Sequence, residues 1–356
     1  MISRRGYFFV MDKRTSRKTV GTRQPIGNVA LPSYTLQEAV DFVVKIKRAN
    51  NLKERTISGY IQNMNYLIEW VTERYGEITI REVTADLLRE YVLWCATEKE
   101  YYAGHPFKAE YEKGKLGLSP ASVNVRIRVL KTFFAVLHEE EIIDRNPAAN
   151  VSLMRQDVDT VMPLSDDELR HFMKAPDKRQ WAQWRDYVIM TLILDTGLRL
   201  GEICALEKPE IDFVKKSITL PASKNKNRKS RTLPLSTETA RLLKQLIVET
   251  ERNFDTTYVF TTNYGEQLSE KTIQKSFDNY AERAKLGRTV SPHVLRHNFA
   301  TMAAENGMSI FHLQKLMGHA DIATTRKYVQ ISEGSLAEEH KRYSPLTRLT
   351  GRKGGR

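Results

Sequence analysis

Over most of its length this chain places an apolar residue every three or four positions, and only one short region alternates. Leu36, Ala39, Val40, Val43 and Val44 make the first stripe, behind Thr35 as a cap. Ile57, Tyr60, Ile61, Met64, Leu67, Ile68 and Val71 make the second, and Leu87, Leu88, Tyr91, Val92 and Cys95 the third. Ser119-Pro120, a capping residue before one suited to the first helical position, opens a fourth with Val123, Ile127, Leu130, Phe133, Phe134 and Leu137, which Asn146-Pro147 is expected to end. Such spacing lines one face of a helix and fits no strand. The chain is therefore expected to be mainly α. Period two occurs at Ser217 to Pro221 and Arg231 to Leu235, on either side of the polar turn Lys224-Asn225-Lys226-Asn227-Arg228-Lys229, and predicts a β-hairpin. Tyr258 to Thr261 is a further candidate strand, and helices are expected over most of 236–252 and 269–331.

The apolar patterns fall into two sets, separated by polar residues 151–160 and an acid-rich helix start at Ser165-Asp166-Asp167-Glu168. A length of 356 residues suffices for two domains that each bury a core. The expected organisation is a flexible basic arm at 1–33, a helical domain at 34–150, a linker at 151–160, a mixed α/β domain with a small antiparallel sheet at 161–332, and a basic tail at 333–356. Residues 99–117, polar and aperiodic, read as a loop.

Charge narrows the partner. The chain carries 56 Lys and Arg against 43 acidic residues, a formal charge of +13. In the arm, Arg4, Arg5, Lys13, Arg14, Arg17, Lys18 and Arg23 face the single acid Asp12. Such a surface attracts a polyanion through counterion release. No apolar run reaches the roughly 20 residues needed to cross a bilayer, and the basic N-terminus lacks the apolar core of a secretory signal. A cytoplasmic, membrane-free protein is expected. Cys95 and Cys204 sit in apolar patterns without metal-ligand spacing and read as buried thiols.

Four short patterns follow one another in the second domain: Thr196-Gly197-Leu198-Arg199-Leu200-Gly201-Glu202, the basic hairpin, His293-Val294-Leu295-Arg296-His297, and Leu316-Met317-Gly318-His319. Tyr328 comes nine residues after His319. In these residues the chain resembles the tyrosine recombinase, or phage integrase, family, whose signature runs Arg, Lys, His-x-x-Arg, His or Trp, then Tyr. The resemblance spans the second domain and extends weakly to the first. It implies a helical core-site DNA-binding domain and a catalytic domain forming a clamp around duplex DNA. It also implies site-specific cleavage and rejoining through a 3′-phosphotyrosine, without metal, nucleotide or other cofactor, and a homotetramer on two recombination sites.

The residues support that chemistry on their own terms. Ser291-Pro292 can start a helix, which puts His293 and Arg296 on one face near a helix N-terminus, where an anion is favoured. Arg199 lies in an apolar segment and needs a partner, for which Glu202 is three residues away. Arg199 and Arg296 can fork onto the oxygens of a scissile phosphate. A tyrosine phenol, with a pKa of about 10, is almost wholly protonated at neutral pH, so Tyr328 needs a proton acceptor, for which His293 is the candidate. His319 can donate to a phosphate oxygen. The leaving 5′ oxygen needs a proton, which the family takes from a hairpin lysine. Lys226, eight residues before Pro234, is favoured and Lys224 stays open. The lysine not so used, with Arg228, Lys229 and Arg231, is expected to touch the DNA backbone. Two readings compete: a type IB topoisomerase, which shares the chemistry without exchanging strands, and a non-catalytic DNA-binding regulator.

Overall fold

The computed structural model describes residues 9–11, 18–20, 33–100, 114, 116–156, 162–225, 229–326, 328, 340, 344 and 345. The chain divides into two compact units, Met1–Val158 and Asp159–Arg356.

In the first unit, β1 (Phe9–Met11) and β2 (Lys18–Val20) pair antiparallel with Phe9 opposite Val20. The arm thus contains a ladder that its charge pattern does not announce. Among the described residues four α-helices follow, α1 (Leu36–Ala49), α2 (Glu54–Tyr75), α3 (Ala85–Thr97) and α4 (Pro120–Glu139). Their starts are chemical. Thr35 accepts from the Glu38 amide while the Glu38 carboxylate accepts from the Thr35 amide, and Thr84 and Ser119 cap α3 and α4. The apolar stripes meet in a core around Leu67, Trp70, Tyr91, Phe133 and Phe134. The end of α4 differs from the sequence expectation. Glu141 takes a left-handed conformation (φ 58°) and stops the helix before Asn146-Pro147 is reached. Asn146 instead makes a turn of its own, its side-chain oxygen accepting from the Ala148 amide at 2.9 Å. Within the predicted loop, Glu100 and Leu116 form an isolated bridge, and 101–113 lies outside the described residues.

The second unit opens with α5 (Asp166–Lys174), capped reciprocally by Ser165 and Glu168, then α6 (Trp181–Thr196) and the short α7 (Leu200–Cys204). β3 (Ile211–Asp212), β4 (Ser217–Leu220) and β5 (Arg231–Pro234) form an antiparallel sheet in that order, with Leu220 opposite Arg231. The predicted hairpin is β4–β5. β3 was not predicted, since two residues carry no period. Tyr258 and Thr261 make only isolated bridges, to Glu207 and Gln267, rather than a strand. The chain continues through α8 (Thr237–Glu251), α9 (Glu270–Arg283), α10 (Pro292–Glu305), α11 (Ile310–Met317) and α12 (Ala323–Arg326).

α6 organises this unit. It packs along both α10 and α8 and buries Val188, Ile189, Met190, Leu192 and Ile193, so it is apolar nearly all round, as a central helix must be. Its C-terminus, the start of α10 and the end of α11 converge on the candidate site. Cys95 and Cys204 are buried free thiols, one in each unit. Among the described residues no helix is long and apolar enough to cross a membrane. Of the expected tail, only His340, Ser344 and Pro345 are described.

Candidate active site

The site is assembled from three chain turns. At the first, Gly197 ends α6 in the left-handed conformation (φ 64°), and its amide donates to the Ile193 carbonyl at 2.8 Å. A side chain there would meet the Phe299 ring at 2.5 Å and the Met317 sulfur at 2.9 Å. Gly197 therefore has two reasons to be glycine. Gly197→Ala should cost about 2 kcal/mol or more of stability, read as a lowered thermal midpoint. An unchanged midpoint would mean that this turn relaxes freely.

The turn delivers Arg199 beside Glu202. Glu202 Oε1 accepts from Arg199 Nη1 at 3.0 Å, and Oε2 accepts from the Arg199 amide at 2.9 Å. Arg199 Nη2 donates to the Gly318 carbonyl at 2.9 Å, which ties the first turn to the end of α11. Glu202 is nearly wholly buried. Burial raises its pKa, but hydrogen bonds and charge from Arg231, then Arg199, outweigh this and hold the carboxyl below its usual value.

The second turn is the start of α10. Ser291 is the cap and Pro292 the first helical residue, so His293 lies in the first turn and Arg296 one turn further in. Arg296 is buried and floors the site. Its guanidinium donates to the Gly197 carbonyl, to the Met317 carbonyl at 2.5 Å and to His319 Nε2 at 3.1 Å. Burial, then Arg199, lowers its pKa to about 9, so it is still a cation at neutral pH. His293 is exposed at the rim. Desolvation on its inner side and then the Arg296 and Arg199 charges lower its pKa, which leaves the ring neutral at pH 7.

The third turn follows α11. Gly318 caps that helix in the left-handed conformation, and His319 comes next. A guanidinium has no acceptor, so His319 Nε2 must be the acceptor from Arg296; the ring is then neutral with its proton on Nδ1, 2.9 Å from Thr325 Oγ1. In this arrangement His319 accepts from Arg296. Thr325 is fully buried, and its carbonyl accepts from the Tyr328 amide at 3.0 Å. Tyr328 is half-buried against the small cluster of Ala300, Leu313 and Met317, with its ring centroid 5.0 Å from that of His297.

The hairpin corrects one expectation, at Arg231, and bears on a second, at Lys224. Arg231, expected to face DNA, is only 7% exposed and gives both terminal nitrogens to Glu202, Nη2 to Oε2 at 2.7 Å and Nη1 to Oε1 at 3.1 Å. Lys224, read as a second candidate acid or a backbone contact, is held by Glu210 (2.8 Å), Glu207 (3.1 Å) and the Ala205 carbonyl (2.7 Å). Partial burial opposes its charge, but those two carboxylates prevail and raise its pKa. Lys229 is exposed, and its carbonyl accepts from Asn225 Nδ2 at 2.6 Å, closing the base of the loop. Lys226 and Arg228 lie outside the described residues.

Two residues at the site, His297 and Thr325, were not read from the sequence, and a third, Arg231, was read in another role. His297 adjoins Arg296 but was passed over as part of the same motif, and Thr325 carries no signal. Arg231 did carry one. Strand alternation puts it on the same inward face as Leu233.

The profile of the phage integrase family matches residues 163–334, and that of the phage integrase SAM-like domain matches residues 36–153. Tyrosine recombinase XerC of Shewanella amazonensis is 33% identical over 236 residues, spanning 66% of this chain and 78% of that protein. The chain belongs to the phage integrase family of tyrosine recombinases. It is a site-specific recombinase by that membership. Tyrosine recombinase XerA of Pyrococcus furiosus is 32% identical over 240 residues, 66% of this chain and 78% of its own. Among solved structures, the Tn1549 transposon integrase in complex with a circular intermediate DNA aligns with a TM-score of 0.66 at 22% identity, covering 87% of this chain and 100% of that one. A lambda integrase dimer bound to a COC′ core site aligns at 0.61 and 17% identity, covering 93% and 94%. These two likenesses speak for the fold.

Proposed function

We propose that this recombinase cleaves and rejoins duplex DNA with Tyr328 as the nucleophile, on a phosphate held by Arg199 and Arg296. One observation carries the reading: Arg296 hydrogen-bonds His319, His319 hydrogen-bonds Thr325, and the Thr325 carbonyl holds the backbone of Tyr328, so a single chain of contacts couples phosphate site and nucleophile. Arg199, Arg231 and Arg296 against Glu202 leave a net surplus of two positive charges. That surplus suits the pentacoordinate phosphorane, which carries one more negative charge than the ground-state diester. His293, neutral at pH 7 and beside this charge, accepts the phenol proton. A phosphate that draws the Arg296 guanidinium onto its own oxygens frees His319 Nε2 for a proton and hence for donation.

The bond balance needs no energy source. The Tyr328 oxygen displaces the 5′ oxygen, a 3′-phosphotyrosine forms, and a 5′ hydroxyl of the partner strand reverses the step. Since each protomer supplies one tyrosine and an exchange involves four strands, four protomers act on two DNA sites, in the cytoplasm. Lys229 and Arg228 contact the DNA backbone.

A nicked suicide duplex, in which the cleaved end diffuses away, tests the chemistry. It should trap a denaturation-resistant adduct whose rate of formation is level at pH 7 and falls only as pH drops through a midpoint below 6.5. The sign follows from the lowered pKa of His293, which extends the neutral, proton-accepting form to lower pH. His293→Gln should flatten that limb. Absence of any adduct would leave the non-catalytic regulator, and relaxation without exchange between two sites would leave the topoisomerase.

A further inference from the structure

Arg231 occupies an unusual place among the site's cations. It is buried on β5, which packs against α11, and it spends both Nη groups on Glu202, the same carboxylate that pairs with Arg199. Both arginines use Oε1, at 3.1 and 3.0 Å. On its other side, the Arg231 guanidinium lies so close under Gly318 that a Cβ there would come within 2.6 Å of Nη1. Gly318 in turn supplies the carbonyl that Arg199 Nη2 holds. Among the described residues the Arg231 Nε–H has no hydrogen-bond partner. A buried N–H left unpaired costs stability, so Arg231 is a poor choice if the position served only to pack the sheet.

Removing Arg231 would free a carboxylate three residues from Arg199. Glu202 would then close on Arg199 with both oxygens, the strongest geometry open to such a pair, and turn that guanidinium away from a ligand. The site's charge surplus would fall from two to one.

We propose that Arg231 is a positioning residue for recombination: by occupying Glu202 it keeps Arg199 available to the scissile phosphate, and by supporting Gly318 it fixes the turn that carries His319. The inference rests on the reading that Arg199 binds that phosphate. It also makes a charge prediction that a merely structural role does not. If Glu202 is the group released by loss of Arg231, neutralising Glu202 as well should restore function, because Arg199 and Arg296 then stand alone with a surplus of two.

The test compares Arg231→Met with Glu202→Gln/Arg231→Met, measuring single-turnover cleavage of the suicide duplex at saturating protein, DNA affinity by gel shift, and thermal midpoint. Arg231→Met should cleave about 10²-fold slower, the scale of losing one transition-state donor, while its affinity changes only a few-fold. The double variant should recover at least about tenfold of that loss. Cleavage at the wild-type rate by folded Arg231→Met would overturn the proposal, as would a folded double variant no faster than the single one. Should Arg231→Met fail to fold, the double variant, which removes both charges of the Arg231–Glu202 pair together, decides by its own cleavage rate against wild type. If neither folds, Arg231 is required for folding and the proposal falls. Failure of the underlying reading shows separately, as a wild-type protein that yields no adduct.

Discussion

Tyr328→Phe should bind recombination-site DNA as the wild type does and form no covalent adduct, a loss of at least about 10⁴-fold in cleavage, the scale seen when a nucleophile is deleted. The substitution removes one oxygen and leaves the ring. That ring is what packs against the Ala300, Leu313 and Met317 cluster and lies 5.0 Å from the His297 ring, and the backbone bond from Tyr328 to Thr325 is untouched. His319 and Arg296 therefore keep their places, and the phosphate site survives without its nucleophile. The measurement is a suicide duplex resolved by denaturing electrophoresis, beside a gel shift on the intact site. An adduct of normal intensity would move the nucleophile elsewhere among the chain's 15 tyrosines. Loss of binding together with cleavage would mean that the phenol oxygen itself holds the site together.

The helices were legible because each has both a period and a chemical start: Thr35 with Glu38, Ser119 with Pro120, and Ser165 with Glu168 set beginnings that the structure reproduces. Ends were less legible. α4 stops at Glu139 because Glu141 turns left-handed, and glutamate gives no warning of that conformation. β3 and the β1–β2 ladder were missed because strands of two and three residues are shorter than any period that marks them.

For the site, sequence order named Arg199, Glu202, His293, Arg296, His319 and Tyr328, and the fold brings the termini of α6, α10 and α11 together around them. What spacing does not contain is which cation meets which acceptor. Arg231 stands in a run with Lys229 that looks like one solvated basic surface, yet only Arg231 lies within the strand, on the inward side with Leu233, while Lys229 precedes the strand and is exposed. Lys224 likewise looked interchangeable with Lys226. Its two carboxylate partners, Glu207 and Glu210, lie 17 and 14 residues back in a separate short helical turn, so nothing local revealed them.

That pairing sharpens the choice of general acid. A leaving alkoxide must be protonated as it departs, and proton transfer in the transition state contributes about 10² to 10⁴ in rate. An ammonium held by two carboxylates and a carbonyl, with its pKa raised, is a reluctant donor and is turned toward Ala205 rather than toward a ligand. Lys226 follows Asn225, whose bond to the Lys229 carbonyl closes the loop base just beyond Lys224. Lys226→Ala should therefore cleave ordinary DNA about 10² to 10⁴-fold slower than wild type. A duplex whose bridging 5′ oxygen is replaced by sulfur releases a stable thiolate that needs no proton, and on it Lys226→Ala should approach the wild-type rate. Lys224→Ala should instead lose the contacts that join the hairpin to Glu207 and Glu210, with a lower thermal midpoint and a milder cleavage defect that sulfur does not cure. Rescue of Lys224→Ala by sulfur would mean that this lysine leaves its carboxylates when DNA binds and is the acid. If sulfur rescues neither variant, the proton comes from outside the hairpin, and His319, once released by Arg296 and protonated, is the next group to replace.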